Sequence, residues 1–290
     1  MYKRQPFTGS GTLESVSKLT RDDLTKFHDT WFRPNNATLV VVGDTTMDEI
    51  KPRIEALFSS WKSAEVPLKN VAEVPQKEQS LVYLIDKPGA QQAMIVAGHG
   101  APPRGTVVVV AFVTMNTSLG GTFIARLNMN LREDKHWSYG AGTFLPDANG
   151  QRPLLAYAPV QTDKTKEAMV EIQKELEEIR GPRPITDDEL AKIKTKKTLE
   201  LPGLWETNEE VMDSIAEIVR FDLKDDYFNG YADTVIALSL DEVNAAAIGI
   251  LYPDRLVWMV VGDREKIEEG IRELELGPIQ MIDADGTVVE

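Results

Sequence analysis

The sequence predicts an α+β fold, an antiparallel or mixed sheet packed by helices, and three observations carry the prediction. Two stretches, "SLVYLIDKPGAQQAMIVAG" (80–98) and "YGAGTFLPDANGQRPLLAYAPV" (139–160), each hold two extended runs around turn residues. Long charged, amphipathic segments at helical spacing follow them. A late apolar run, "LVWMVVGD", then brings a strand back near the C-terminus. Strands, a block of helices and a returning strand suit layered α+β packing better than regular βαβ winding.

The elements follow in order. In "LTRDDLTKFHDTWFRPNNATLVVVGDTTMDEIKPRIEALFSSW", Thr20 is placed to cap a helix with Asp23 three positions on, and Leu24, Phe27 and Trp31 recur at helical spacing. Pro34 and the two asparagines after it end that helix. "ATLVVVGD" (37–44) reads as a short buried strand, and Thr46 or Asp48 caps a second helix bearing Ile50, Ile54, Leu57 and Phe58.

The same order returns as "LSLDEVNAAAIGILYPDRLVWMVVGDREKIEEGI". Leu19 matches Leu238, Leu24 matches Val243, Pro34 matches Pro253, and the "VVGD" ending at Asp44 matches the one ending at Asp263, all 219 residues apart without a gap. Helix, proline, strand and Gly-Asp in one register indicate an internal duplication. The polar stretch 62–79, with two prolines, reads as a linker. Residues 1–61 are then the C-terminal remnant of a first homologous domain, and 80–290 a complete second one. If the repeats are of equal length, about 139 further residues are expected upstream.

Within the second domain, the run "VVVVAFV" (107–113) has high β propensity. Gly120 and Gly121 allow a close approach or an unusual backbone angle, and turn the chain into "TFIARLNMNLRE", where Phe123, Leu127 and Leu131 form a helical stripe. Charges from Lys164 to Arg180 mark a solvated helix face, and Thr186 with Glu189 makes a capping box. Trp205 and the run from Val211 to Phe228 read as helix packing, and Met115, Met129 and Met212 as core residues.

Composition removes several functional classes. Against 46 acidic residues stand 32 basic ones, a net charge of −14, and no segment supplies the basic patch a nucleic-acid partner needs. Without cysteine there are no disulfides or thiolate metal sites, and periplasm and cytoplasm both stay open. The longest apolar run, 107–113, falls far short of the roughly 20 residues of a membrane span.

Three segments in order, "RPNNATLVVVGD", "DKPGAQQAMIVAG" and "NTSLGGTFIARLNMNLREDKHWSYGAG", give the chain its resemblance to the insulinase-like and pitrilysin-like zinc peptidases of family M16, which include the mitochondrial processing peptidase and inactive partner subunits. The resemblance implies a metallohydrolase-like α+β domain and a helix, not a strand, at 107–113. It also implies a clamshell of two similar domains around a peptide. The leading domain of that family carries HxxEH and a further glutamate, residue types that suit zinc and activate its water. This sequence has no such constellation, for His28, His99 and His136 are far apart and none is followed by the motif. Zinc is therefore expected in an absent or partner domain, with no cofactor in this chain.

The resemblance assigns a role to "NLREDKHWSYGAG". The trailing domain of the family presents R-x6-Y, and Arg132 and Tyr139 have that spacing. They are implied to face the zinc across the cleft, the arginine offering a rigid fork of donors to a peptide carbonyl or carboxylate and the tyrosine a neutral hydroxyl to an oxyanion. The implied protein is the C-terminal, non-metal-binding portion of a zinc endopeptidase acting on extended peptides, with its zinc-bearing domain in cis or in trans. The alternative is a non-catalytic partner or a peptide- or protein-binding subunit.

Overall fold

The computed structural model of the chain describes residues 11–69, 73–104 and 107–289. The first ten residues of the expected remnant, 70–72 of the expected linker and Glu290 lie outside them. In chain order the elements are α1 (Leu13–Ser17), α2 (Arg21–Trp31), α3 (Met47–Phe58), β1 (Leu81–Asp86), β2 (Gln92–Ala101), α4 (Val107–Leu119) and α5 (Arg126–Asn128). After α5 a π-helix spans Met129–Asp134. Then come β3 (Gly142–Phe144), β4 (Arg152–Gln161), α6 (Thr165–Glu178), α7 (Asp187–Glu200), α8 (Asn208–Phe221), α9 (Tyr227–Ala237), α10 (Leu240–Ile250), β5 (Val257–Gly262), α11 (Arg264–Arg272) and β6 (Ile279–Met281). By their contacts they gather into two units, 11–69 with Pro202–Leu223, and 73–201 with 224–289.

In the first unit, Thr20 caps α2 as its sequence requires, its Oγ1 accepting from the Asp23 N–H at 3.2 Å while its own N–H donates to the Asp23 carboxylate at 2.9 Å. No described residue of this unit is buried. The expected buried strand at 37–44 is not there, and Leu39 and Val41 are exposed. A strand exists only when its N–H and C=O groups meet a neighbour's, and no described strand pairs with this one. Helix α8 forms, but it buries none of its apolar residues, so Met212 is a half-exposed residue rather than a core one.

The second unit is built on a mixed sheet in the order β3-β4-β2-β5-β1-β6. The two extended runs of 80–98 do not form the hairpin that a turn between them suggests. Gly89 does turn the chain at φ +74°, but β1 and β2 do not pair with each other. Strand β5 lies between them, parallel to β1 and antiparallel to β2. Gly262 at its end permits the fit, since a Cβ there would stand 3.0 Å from that of Ala93. The second expected pair is a real antiparallel one, β3 with β4.

Alternate strand positions fill the core: Val82 and Leu84, Ile95 and Ala97, Leu154 to Val160 at every second residue, Trp258 and Val260. Helices α4, α6, α10 and α11 add Phe112, Met115, Met169, Ile172, Val243, Ala247, Ile267 and Ile271. The valine run is helical, as the resemblance implied, because burial outweighs its β propensity.

Candidate functional site

Gly120 brings the start of the site together. A Cβ there would lie 2.5 Å from the Thr143 nitrogen, so only glycine lets the Thr143 N–H donate to the Gly120 carbonyl at 2.9 Å. Beyond it, Leu127 and Leu131 are buried as the stripe predicts, but Phe123 is exposed. It precedes the first helical turn, and its ring serves instead as a platform with the Arg132 guanidinium 4.5 Å from its centroid.

Arg132 sits in the π-helical turn, where the Lys135 N–H reaches back five residues to the Asn130 carbonyl at 3.0 Å. Its Nε lies 3.4 Å from Glu133, and its side chain is half-exposed. The turn ends on His136, a non-glycine residue at φ 57°, whose Nδ1 is 3.0 Å from the Arg132 carbonyl. Such a left-handed conformation is uncommon for a side-chain-bearing residue and is kept only where the surroundings fix it. Here the Trp137 N–H donates to the Leu131 carbonyl at 3.0 Å, and Gln161 Nε2 donates to the His136 carbonyl at 3.1 Å.

Tyr139 is 86% exposed on a backbone that is fastened at both sides. Ser138 Oγ lies 2.6 Å from the Pro159 carbonyl and accepts the Gly140 N–H at 3.1 Å. Buried Asn128 joins the two arms of the loop, donating to the Phe123 carbonyl at 2.6 Å and accepting from the Ala141 N–H at 3.1 Å. Neither the Asn128 bridge nor the platform role of Phe123 was legible in the sequence, where Phe123 fell on the apolar helical stripe. Met129, expected in the core, is half-exposed on the π-turn. No hydrogen bond, ion pair or ring contact joins Arg132 to Tyr139 among the described residues. Each stands on its own support.

The helix beneath is strapped to α7. Arg126 forks onto Glu189 at 2.8 and 2.7 Å, and Ser118 Oγ donates to the same carboxylate at 2.8 Å. Burial alone would raise the Glu189 pKa, but Arg126, the Thr186 backbone and Ser118 outweigh it and hold it at about 2.

Among the described residues no group of three or more His, Asp or Glu could hold a metal ion. Each histidine is engaged otherwise. His28 stacks on Phe32, His99 is tied to the Gly100 carbonyl and the Tyr252 N–H, and His136 closes its own turn. Zinc does not fit these residues. No single described helix is long and apolar enough to cross a membrane.

A family model described as the peptidase M16 inactive domain matches residues 18–197. The zinc protease PqqE of Helicobacter pylori is 22% identical over 244 residues, 82% of this chain and 54% of that protein. An uncharacterized zinc protease of Mycobacterium leprae is 25% identical over 175 residues, 59% of this chain and 39% of that protein. The chain thus spans from about two fifths to a little over half of the length of these curated relatives. Among solved structures, a peptidase M16 inactive domain from Pseudomonas fluorescens has a TM-score of 0.77 at 20% identity, covering 87% of this chain and 59% of that one. A protease from Helicobacter pylori gives 0.78 at 19%, covering 87% and 61%. At these identities the likeness shows the fold.

Proposed function

The chain belongs to the peptidase M16 inactive-domain family, and from that premise we propose that it is the C-terminal, non-metal-binding part of a zinc metalloendopeptidase. In this reading it closes one side of a cleft over an extended peptide. A homologous zinc-bearing domain, in cis or in trans, forms the other side. The division into a remnant ending near residue 61 and a complete domain from residue 80 belongs to the same proposal.

Arg132 and Tyr139 are the groups this chain contributes. The observation that carries the reading is their presentation: both side chains are open to solvent, the backbone beneath them is held by Asn128, Ser138 and the π-turn, and the Phe123 ring backs the Arg132 guanidinium. A site that acts by preorganised donors needs such rigid supports. Arg132 holds a peptide carbonyl or carboxylate in its fork, and the Tyr139 hydroxyl donates to the oxygen on which negative charge develops.

The test is steady-state cleavage of one peptide by the whole protein, or by the complex with its zinc-bearing partner, after metal content and folding have been checked. Tyr139→Phe removes one hydroxyl and little volume, and should cost about 2–4 kcal/mol, roughly 30- to 1,000-fold in kcat/KM. Arg132→Ala should lower kcat/KM with part of the loss in KM, since the fork also holds the ground state. Near-normal kcat/KM in both variants would return the segment to a packing and turn motif.

A further inference from the structure

Apart from the Arg132 and Tyr139 surface, the second unit contains a cavity of about 590 Å³ beside α4, α9 and the chain leaving β3. That volume lies within the range of small-ligand sites. Among the described residues, Arg104, Arg152 and Lys224 line it against a single carboxylate, Asp147, a local reversal in a chain of net charge −14. Arg152 is almost wholly buried. It donates through Nε to the Pro102 carbonyl at 2.9 Å and through Nη1 to Asp147, which also pairs with Arg104.

Three lining side chains carry a buried polar atom with no hydrogen-bond partner: Arg152 Nη2, Asn116 Oδ1 and Thr143 Oγ1. A buried donor or acceptor left unpaired is costly, and its presence calls for an occupant that pairs it. The three define a ligand. Nη2 asks for an anionic acceptor, Oδ1 for an N–H, and the hydroxyl serves either. Val113, Phe144 and Tyr227 supply an apolar, partly aromatic wall beside them.

We propose that this cavity binds the C-terminal residue of a peptide, its carboxylate on Arg152, its amide N–H on Asn116 and an apolar side chain against Val113 and Phe144. Lys224, exposed beside the cavity, draws the carboxylate in. The site does not depend on the role of Arg132 and Tyr139.

The probe is N-acetyl-L-phenylalanine, titrated into the 290-residue chain and followed by heteronuclear NMR. Saturable shifts at the cavity residues are expected. Its C-terminal amide, lacking the charge, and 3-phenylpropionate, lacking the N–H, should each bind about tenfold or more weakly. Arg152→Leu should abolish binding but removes a buried ion pair and risks the fold. Lys224→Glu, on the surface, and Val113→Phe, which fills the cavity, therefore serve as the deciding variants. Each should weaken binding about tenfold or more while the circular dichroism spectrum stays unchanged. Amide or 3-phenylpropionate binding equal to that of the probe, indifference to both deciding variants, or no saturation would overturn the proposal.

Discussion

Helices α2 and α10 begin at Arg21 and Leu240 and end at Trp31 and Ile250, each pair 219 residues apart, and each helix starts from a capping box. The 3₁₀ turns Pro34–Asn36 and Pro253–Arg255 keep the same distance. Past the turn the two copies part. Val257–Gly262 is a strand between two others, whereas the matching residues 38–43 form none. Trp258 is 0% exposed and Leu39, its counterpart, 58%; Val243 is 0% exposed and Leu24 61%. The difference separates two kinds of information. A cap and an apolar spacing act within a few residues and give the same helix in both places. A strand depends on neighbours far along the chain, and only the C-terminal copy has them among the described residues.

The largest effect that could break this comparison comes from truncating the matched strand positions. Trp258→Ala should cost about 3–5 kcal/mol in urea denaturation, whereas Leu39→Ala should stay within about 0.5 kcal/mol. A comparable loss at Leu39 would mean that the first copy is packed after all.

A smaller, pH-dependent effect should arise where His99 meets the C-terminal copy. There the Tyr252 N–H donates to His99 Nε2 at 3.3 Å, while the matching N–H of Arg33 is taken by the Trp31 carbonyl. Burial, more than the opposing bond to Gly100, holds the His99 pKa below its ordinary 6.5. The unfolded chain therefore takes up a proton that the native state refuses. Stability from this group is full above about pH 6.5 and is lost as pH falls through the depressed native value. The urea midpoint should drop between about pH 7 and pH 5, and less steeply in His99→Gln. Equal slopes would remove His99 from the account.

The smallest effect sharpens the point about local information. Thr20→Ala and Ser239→Ala each delete the side-chain half of a capping box and should each destabilise their helix by about 1 kcal/mol. Hydrogen exchange in α2 and α10 reads the two separately. A markedly greater cost at Ser239 would show that tertiary packing, not the cap, sets the helix start there.

The same division explains what could be read in the sequence. Capping boxes at Thr20 and Thr186, the α+β class and the buried Leu127 and Leu131 are local or periodic signals, and they were legible. That β5 would part β1 from β2 was not, since turn residues at 88–89 look alike whether the flanking strands pair or stand apart. Phe123 was misplaced because its spacing fits a helix that begins only at Arg126. At the site, the spacing of Arg132 and Tyr139 was visible, but the π-turn, the His136 backbone and the Asn128 bridge arise from contacts that no periodicity encodes.

The central place of β5 also sets a timetable for synthesis. Val96 must wait for Met259, its partner 163 residues later, before the middle of the sheet can close. At about 5–20 residues per second, β1 and β2 emerge roughly 8 to 30 seconds ahead of the strand that joins them. Through that interval their facing edges are open to other chains, so the nascent protein is most exposed to misassembly until β5 has left the ribosome.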